Sequence, residues 1–74
     1  MFHVGDVVSA LRFIVDVIDG DPVIMAQPSE FGVIQAVEDE TCHVLWARSQ
    51  ASCDCPRALL MLAPKNSVHY VNPL

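Results

Sequence analysis

Basic residues are scarce in this chain. It holds four lysines and arginines against nine acids in 74 residues, a formal charge of −5. The four, Arg12, Arg48, Arg57 and Lys65, are scattered along the sequence. Nucleic-acid binding needs clustered cations that neutralise phosphates, so that function class is disfavoured, and attraction to an anionic membrane surface falls with it. Long uncharged apolar runs are missing too: Arg12 cuts the first after Val7–Leu11, and Asp16 ends the second. Neither a secretory leader nor a membrane helix of roughly 20 residues can be drawn from such runs, and the expected location is cytoplasmic. Three cysteines, an odd number, fit reduced thiols better than a secreted disulfide framework. The length leaves no room for a cleft between two cores. There is also no glycine-rich phosphate loop, catalytic carboxylate pair or histidine-rich zinc helix. A single small domain, residues 1–74, that is not an enzyme is the expectation.

What the chain has in quantity is apolar residues, 53% of the total. A small domain must leave much of its chain at the surface, so some of these side chains stay exposed. Contiguous exposed apolar surface marks a contact with another chain, which points to a homo-oligomer or a complex with a larger protein. The charge is lopsided: residues 1–40 carry one base, Arg12, against eight acids, a net −7, while residues 41–74 carry three bases against Asp54, a net +2. That imbalance favours a basic protein partner or a cation.

Turn-forming clusters at Asp19-Gly20-Asp21-Pro22, Gln27–Glu30, Glu38–Thr41, Ser49–Pro56 and Ala63–Asn66 divide the chain into short pieces. Between them, Val23–Ala26, Gly32–Val37, Cys42–Ala47, Ala58–Leu62 and Ser67–Val71 have the length and composition of strands. Residues 7–18 read two ways. Val7, Ala10, Leu11, Ile14, Val17 and Ile18 match helical spacing, which would give an α+β fold. Against a helix stand six β-branched residues, the alternation of Leu11, Phe13, Val15 and Val17 with their neighbours, and the hairpin-type Asp19-Gly20 turn. Strand is the better reading, and an all-β barrel of five or six short strands follows. Residues 49–56 read as a loop, and 64–74 as a strand, an arm or a tail.

The order Phe2-x-Val4-Gly5-Asp6-Val7-Val8, a long first loop or hairpin, Pro28-Ser29-Glu30-Phe31-Gly32-Val33-Ile34, an acidic turn, His43-Val44-Leu45-Trp46 and a late Leu59-Leu60 resembles the SH3-like β-barrel layout. Similar layouts occur in small accessory subunits of redox and metalloenzyme systems, in the C-terminal domain of the nitrile hydratase β-subunit and in small nitrogen-fixation accessory proteins. The resemblance implies a small accessory role, but such a fold hosts many functions. The acidic charge departs from the nucleic-acid-binding members.

Three groups of residues could carry function. Trp46 and Arg48, read as sharing one strand face, with Phe31 and Tyr70, are candidate interface anchors. Glu38, Asp39 and Glu40 form an acidic turn that suits a basic partner, while Asp16, Asp19 and Asp21 read as a solvated hairpin tip lacking the loop and terminal glutamate of a calcium site. Cys42, Cys53, Cys55 and His43 could supply four ligands to zinc or iron, or the thiols could sense redox state. However, Cys-x-Cys is poor zinc spacing, and Cys42 and His43 should point to opposite faces of a strand. The expectation is a docking module with no cofactor that binds a protein through an acidic, partly apolar surface.

Overall fold

A computed structural model of the chain, with residues 2–63 described, is all-β. Its strands are β1 (Val7–Ala10), β2 (Ile14–Ile18), β3 (Asp21–Ala26), β4 (Phe31–Glu38), β5 (Thr41–Trp46), β6 (Ser52–Pro56) and β7 (Leu60–Leu62), with a single 3-10 turn at Arg57–Leu59. Residues 7–18 form two strands, not a helix, as their β-branched content favours. The described residues alone hold seven strands, more than the five or six expected. One of them, β6, occupies the stretch read as a loop. The expected Ser67–Val71 strand and the arm or tail lie outside the described residues. No helix among the described residues is long and apolar enough to cross a membrane.

Five strands form one antiparallel sheet in the order β6-β5-β4-β1-β7, and β2 and β3 pair in a separate hairpin. Among the described residues no ladder joins β6 to β7, and these two stand at the ends of the order. β4, β5 and β6 follow one another as a meander, with Gly32 opposite Trp46 and Cys42 opposite Cys55. β1 lies between β4 and β7, pairing Val8 with Gly32 and with Leu62.

Strict alternation makes the sheet's inner face. Cys42, Val44 and Trp46 of β5 are buried while Thr41, His43 and Leu45 are only half-buried, and in β6 Cys53 and Cys55 alternate with exposed Ser52, Asp54 and Pro56. With Val8, Ala10, Ile34 and Leu60 they make one core, completed from the hairpin by Ile14, Met25 and Ala26. The core needs Gly32 for space rather than for conformation. A Cβ there would lie 2.6 Å from Val44 Cγ1, 2.8 Å from Trp46 Cε3 and 2.9 Å from the Leu45 carbonyl, so the glycine lets the neighbouring strand and the indole approach closely.

Candidate functional site

Beyond its base, the hairpin carries apolar residues that the core does not use: Val15, Val17, Ile18, Val23 and Ile24 are all exposed. Its turn, Asp19-Gly20, has φ of 53° and 85°, the double positive φ of the two-residue hairpin turn that suits strand twist. Ile18 and Asp21 flank the turn, followed outward by the pairs Val17–Pro22, Asp16–Val23 and Val15–Ile24. Directly paired residues share a face, and successive residues alternate. One face therefore carries Val15, Val17, Pro22 and Ile24 with no charge at all. The other carries Asp16, Ile18, Asp21 and Val23, acids interleaved with apolar groups.

Every residue of the uncharged face is exposed: Val15 by 53%, Val17 by 66%, Ile24 by 49%, and Pro22 with them. The mixed face begins over the core, where Ile14 is buried, and passes Asp16, which is close enough to Cys53 to help push that thiol's pKa up. Ile18, Asp21 and Val23 then run out into solvent. Phe13, 56% exposed, precedes β2. A hairpin of two strands is marginal alone, and this one is tied down at its base. The Ser49 hydroxyl donates to the Met25 carbonyl at 3.0 Å. Glu30, just beyond β3, accepts a hydrogen bond from the Arg48 Nε–H and another at 2.7 Å from the Gln27 amide. The Arg48 contact holds the Glu30 carboxyl below its ordinary pKa against the raising effect of partial burial.

The hairpin's edges are blocked at Val17 and Pro22. In a two-residue hairpin the residues flanking the turn exchange hydrogen bonds, so the next pair points its amides outward. Pro22 has no amide hydrogen to offer there, and the Val17 amide donates to its neighbour's carboxylate, Asp16 Oδ1, at 2.8 Å. Such devices discourage strand addition, which leaves the faces as the surfaces available to another chain.

The expected anchors are placed differently. Trp46 is fully buried. Strand parity turns it inward opposite Gly32, so it is core and not available to a partner. Arg48 lies beyond the end of β5, in the turn before β6, and does not share a strand face with Trp46; its guanidinium is engaged by Glu30. Phe31 is half-buried at the start of β4, and Tyr70 lies outside the described residues. Glu38, Asp39 and Glu40 are all exposed at the β4–β5 turn, as expected. They sit at the end of β4 away from Phe31 and farther from the hairpin along the chain.

The thiols are interior. Cys42 and Cys55 face each other across the ladder and Cys53 lies two residues along the same face, whereas His43 is on the outer face with its Nδ1 2.7 Å from Asp54 Oδ1. Among the described residues no group of three or more histidines, cysteines or acids is arranged to hold a metal ion. Burial pushes all three thiols above their ordinary pKa, Cys55 up to about 12. The Trp46 indole N–H is buried without a well-formed hydrogen bond. It lies near Cys53, where it partly offsets the effect of burial on that thiol.

The residues that sequence reasoning passed over are Val15, Val17, Ile18, Pro22, Val23 and Ile24. The signal was present. Phe13–Ile18 is apolar at both parities, although the chain is too short to cover both faces of such a strand. Set against family models, curated proteins and solved structures, the chain matches none.

Proposed function

We propose that this chain is a small accessory module that docks onto another protein through an acidic, partly apolar surface, and that the surface is the mixed face of the β2–β3 hairpin. The observation that carries the reading is the interleaving of Asp16 and Asp21 with Ile18 and Val23 on one side of an exposed hairpin. Apolar side chains supply the area of a protein contact, and the acids select a partner whose own apolar patch is bordered by lysine and arginine. The acidic Glu38-Asp39-Glu40 turn adds to the long-range attraction of such a partner. The meander of β4, β5 and β6 beside a β1 that also carries β7 is in keeping with the SH3-like resemblance and its accessory roles.

The thiols support this reading over a redox or metal one: reactive cysteines sit in accessible surroundings that lower their pKa, burial here does the reverse, and His43 stands on the opposite face of β5 from Cys42, so the four candidate ligands do not converge. The acidic surface likewise disfavours a nucleic-acid ligand. The test is a photo-crosslinking residue at Ile18, with another at Glu40 as control, followed by identification of the captured protein and its titration in pure form. One identified protein captured through Ile18 is expected. Its affinity should fall with rising salt and drop about ten-fold when Asp16 and Asp21 become asparagine. Affinity for the identified protein that is indifferent to those two substitutions would overturn the reading.

A further inference from the structure

The uncharged face of the hairpin remains. Val15, Val17, Pro22 and Ile24 form a solvent-facing apolar stripe on the side away from the acids, with Phe13 leading into it and Leu11 47% exposed close by. A basic partner would find no carboxylate on this face, so the docking reading does not account for it. The ends of the hairpin say what does. Arg12 stands immediately before β2 and is the only base in residues 1–40, while Asp19 and Asp21 stand at the tip, beyond the other end of β2. All three are exposed, and among the described residues none is in an ion pair. At roughly 3.3 Å per strand residue, β2 separates base from tip by about 20 Å.

We infer that the uncharged face packs against the same face of a second copy of this chain, with the two hairpins antiparallel about a two-fold axis. In a two-fold contact a residue that meets another is met by it in return. An antiparallel pairing places the tip of each copy at the base of the other, so Asp19, in the turn between the two faces, meets Arg12 twice, once at each end, while Asp21 belongs to the mixed face and points away from the contact. The opposite, parallel arrangement would bring acid to acid and arginine to arginine. Face-to-face packing also needs no free strand edge, in agreement with the blocked amides at Val17 and Pro22. Two such stripes bury less than the roughly 1,200 Å² at which stable specific interfaces begin. The dimer is therefore of the weak, transient kind, with a dissociation constant between micromolar and millimolar.

Sedimentation of the full chain from about 1 µM to 1 mM, near 0.15 M salt, tests the inference. The expected mass rises from 8.1 kDa towards twice that value. Val17→Asp should weaken association at least ten-fold, and Ile18→Ser, on the opposite face, by less than two-fold. Arg12→Asp should weaken it about five-fold, and adding Asp19→Arg to that variant should restore it to within two-fold, because the swap rebuilds both end contacts. Far-UV circular dichroism and Trp46 emission report whether each variant is folded; if Val17→Asp is not, Val15→Ser with Val17→Ser takes its place. A chain that stays at 8.1 kDa throughout overturns the inference, as does association that survives the loss of Val17 or is lost equally with Ile18. Failure of the charge swap to restore association overturns the antiparallel arrangement. Crosslinking of a partner through Ile18 reports on the other face, so the two readings fail separately.

Discussion

The β5–β6 ladder and the β2–β3 hairpin are both antiparallel pairs of short strands, and they treat their apolar residues in opposite ways. In β5 and β6 the alternation of burial is strict: one side of the ladder is Cys42, Val44, Trp46, Cys53 and Cys55, all buried, and the other is Thr41, His43, Leu45, Ser52, Asp54 and Pro56, none of them buried. The hairpin is apolar on both sides, and only its base, Ile14, Met25 and Ala26, reaches the core. A sheet face that packs inward needs apolar residues at every second position. Residues of that kind at the remaining positions gain little from folding of the lone chain and stay exposed, as Val15, Val17, Ile18, Val23 and Ile24 do. The ladder thus describes how the fold is held, and the hairpin carries the exposed apolar surface on which both proposed contacts rest.

If that division is right, substitutions should be costly in the ladder and cheap on the hairpin. The largest expected effect is at Gly32, where β4 meets the ladder. Gly32→Ala puts a methyl group within 3 Å of Val44, Trp46 and the Leu45 backbone. A backbone carbonyl cannot swing aside, so the cost should reach about 2–3 kcal/mol, the upper part of the overpacking range. Urea unfolding followed by Trp46 fluorescence measures it, and a cost under about 1 kcal/mol would mean that β4 and β5 are less closely packed than described. Next comes Cys55→Ser, which buries a hydroxyl in place of a thiol and should cost about 1–2 kcal/mol. The equivalent loss at Val17, Val17→Ser on the exposed hairpin face, should stay within about 0.5 kcal/mol. The same contrast has a chemical readout. The three buried thiols should resist an aqueous thiol reagent in the native protein and all react in denaturant. Rapid native labelling would reopen a redox role.

Much of the ladder was legible in the sequence. His43 opposed in direction to Cys42 follows from period-two alternation alone, whereas Trp46, which the same alternation turns inward, was read as an interface anchor. The Asp19-Gly20 turn was legible for a local reason, since few dipeptides adopt two successive positive φ values so readily. A glycine in a strand marks a bulge or a close backbone approach, and the structure selects close approach at Gly32. β6 was missed because Ser-Cys-Asp-Cys-Pro looks polar and turn-like, yet cysteine behaves as a small apolar residue, and its spacing there is that of a half-buried strand. Arg48 was misplaced because parity was carried past Trp46, where the strand ends and a turn begins. The candidate site was less legible than the fold. Strong single features, a tryptophan and an acidic run, drew attention, whereas the surface left open is defined by apolar residues that only tertiary structure shows to be uncovered.

The smallest expected effect lies at the joint between the two regions, where Glu30, just after the hairpin, holds Arg48 in the β5–β6 turn. The arginine lowers the Glu30 pKa from its ordinary value of 4.5, so the folded chain binds that proton less tightly than the unfolded one. The pair's contribution is therefore fully present above about pH 4.5 and is lost as pH falls through the lowered folded value. Arg48 is more than half exposed, and solvent screening limits such a pair to about 0.5 kcal/mol. Glu30→Gln should cost that much at pH 7, and the gap between wild type and variant should close by about pH 3. Other carboxylates titrate in both proteins, so the difference between their urea midpoints is the quantity to follow. A gap that persists at pH 3 would assign Glu30 a neutral role, through its hydrogen bond to the Gln27 amide. The hairpin would then be anchored to the sheet by Ser49 and the buried Ile14, Met25 and Ala26 alone.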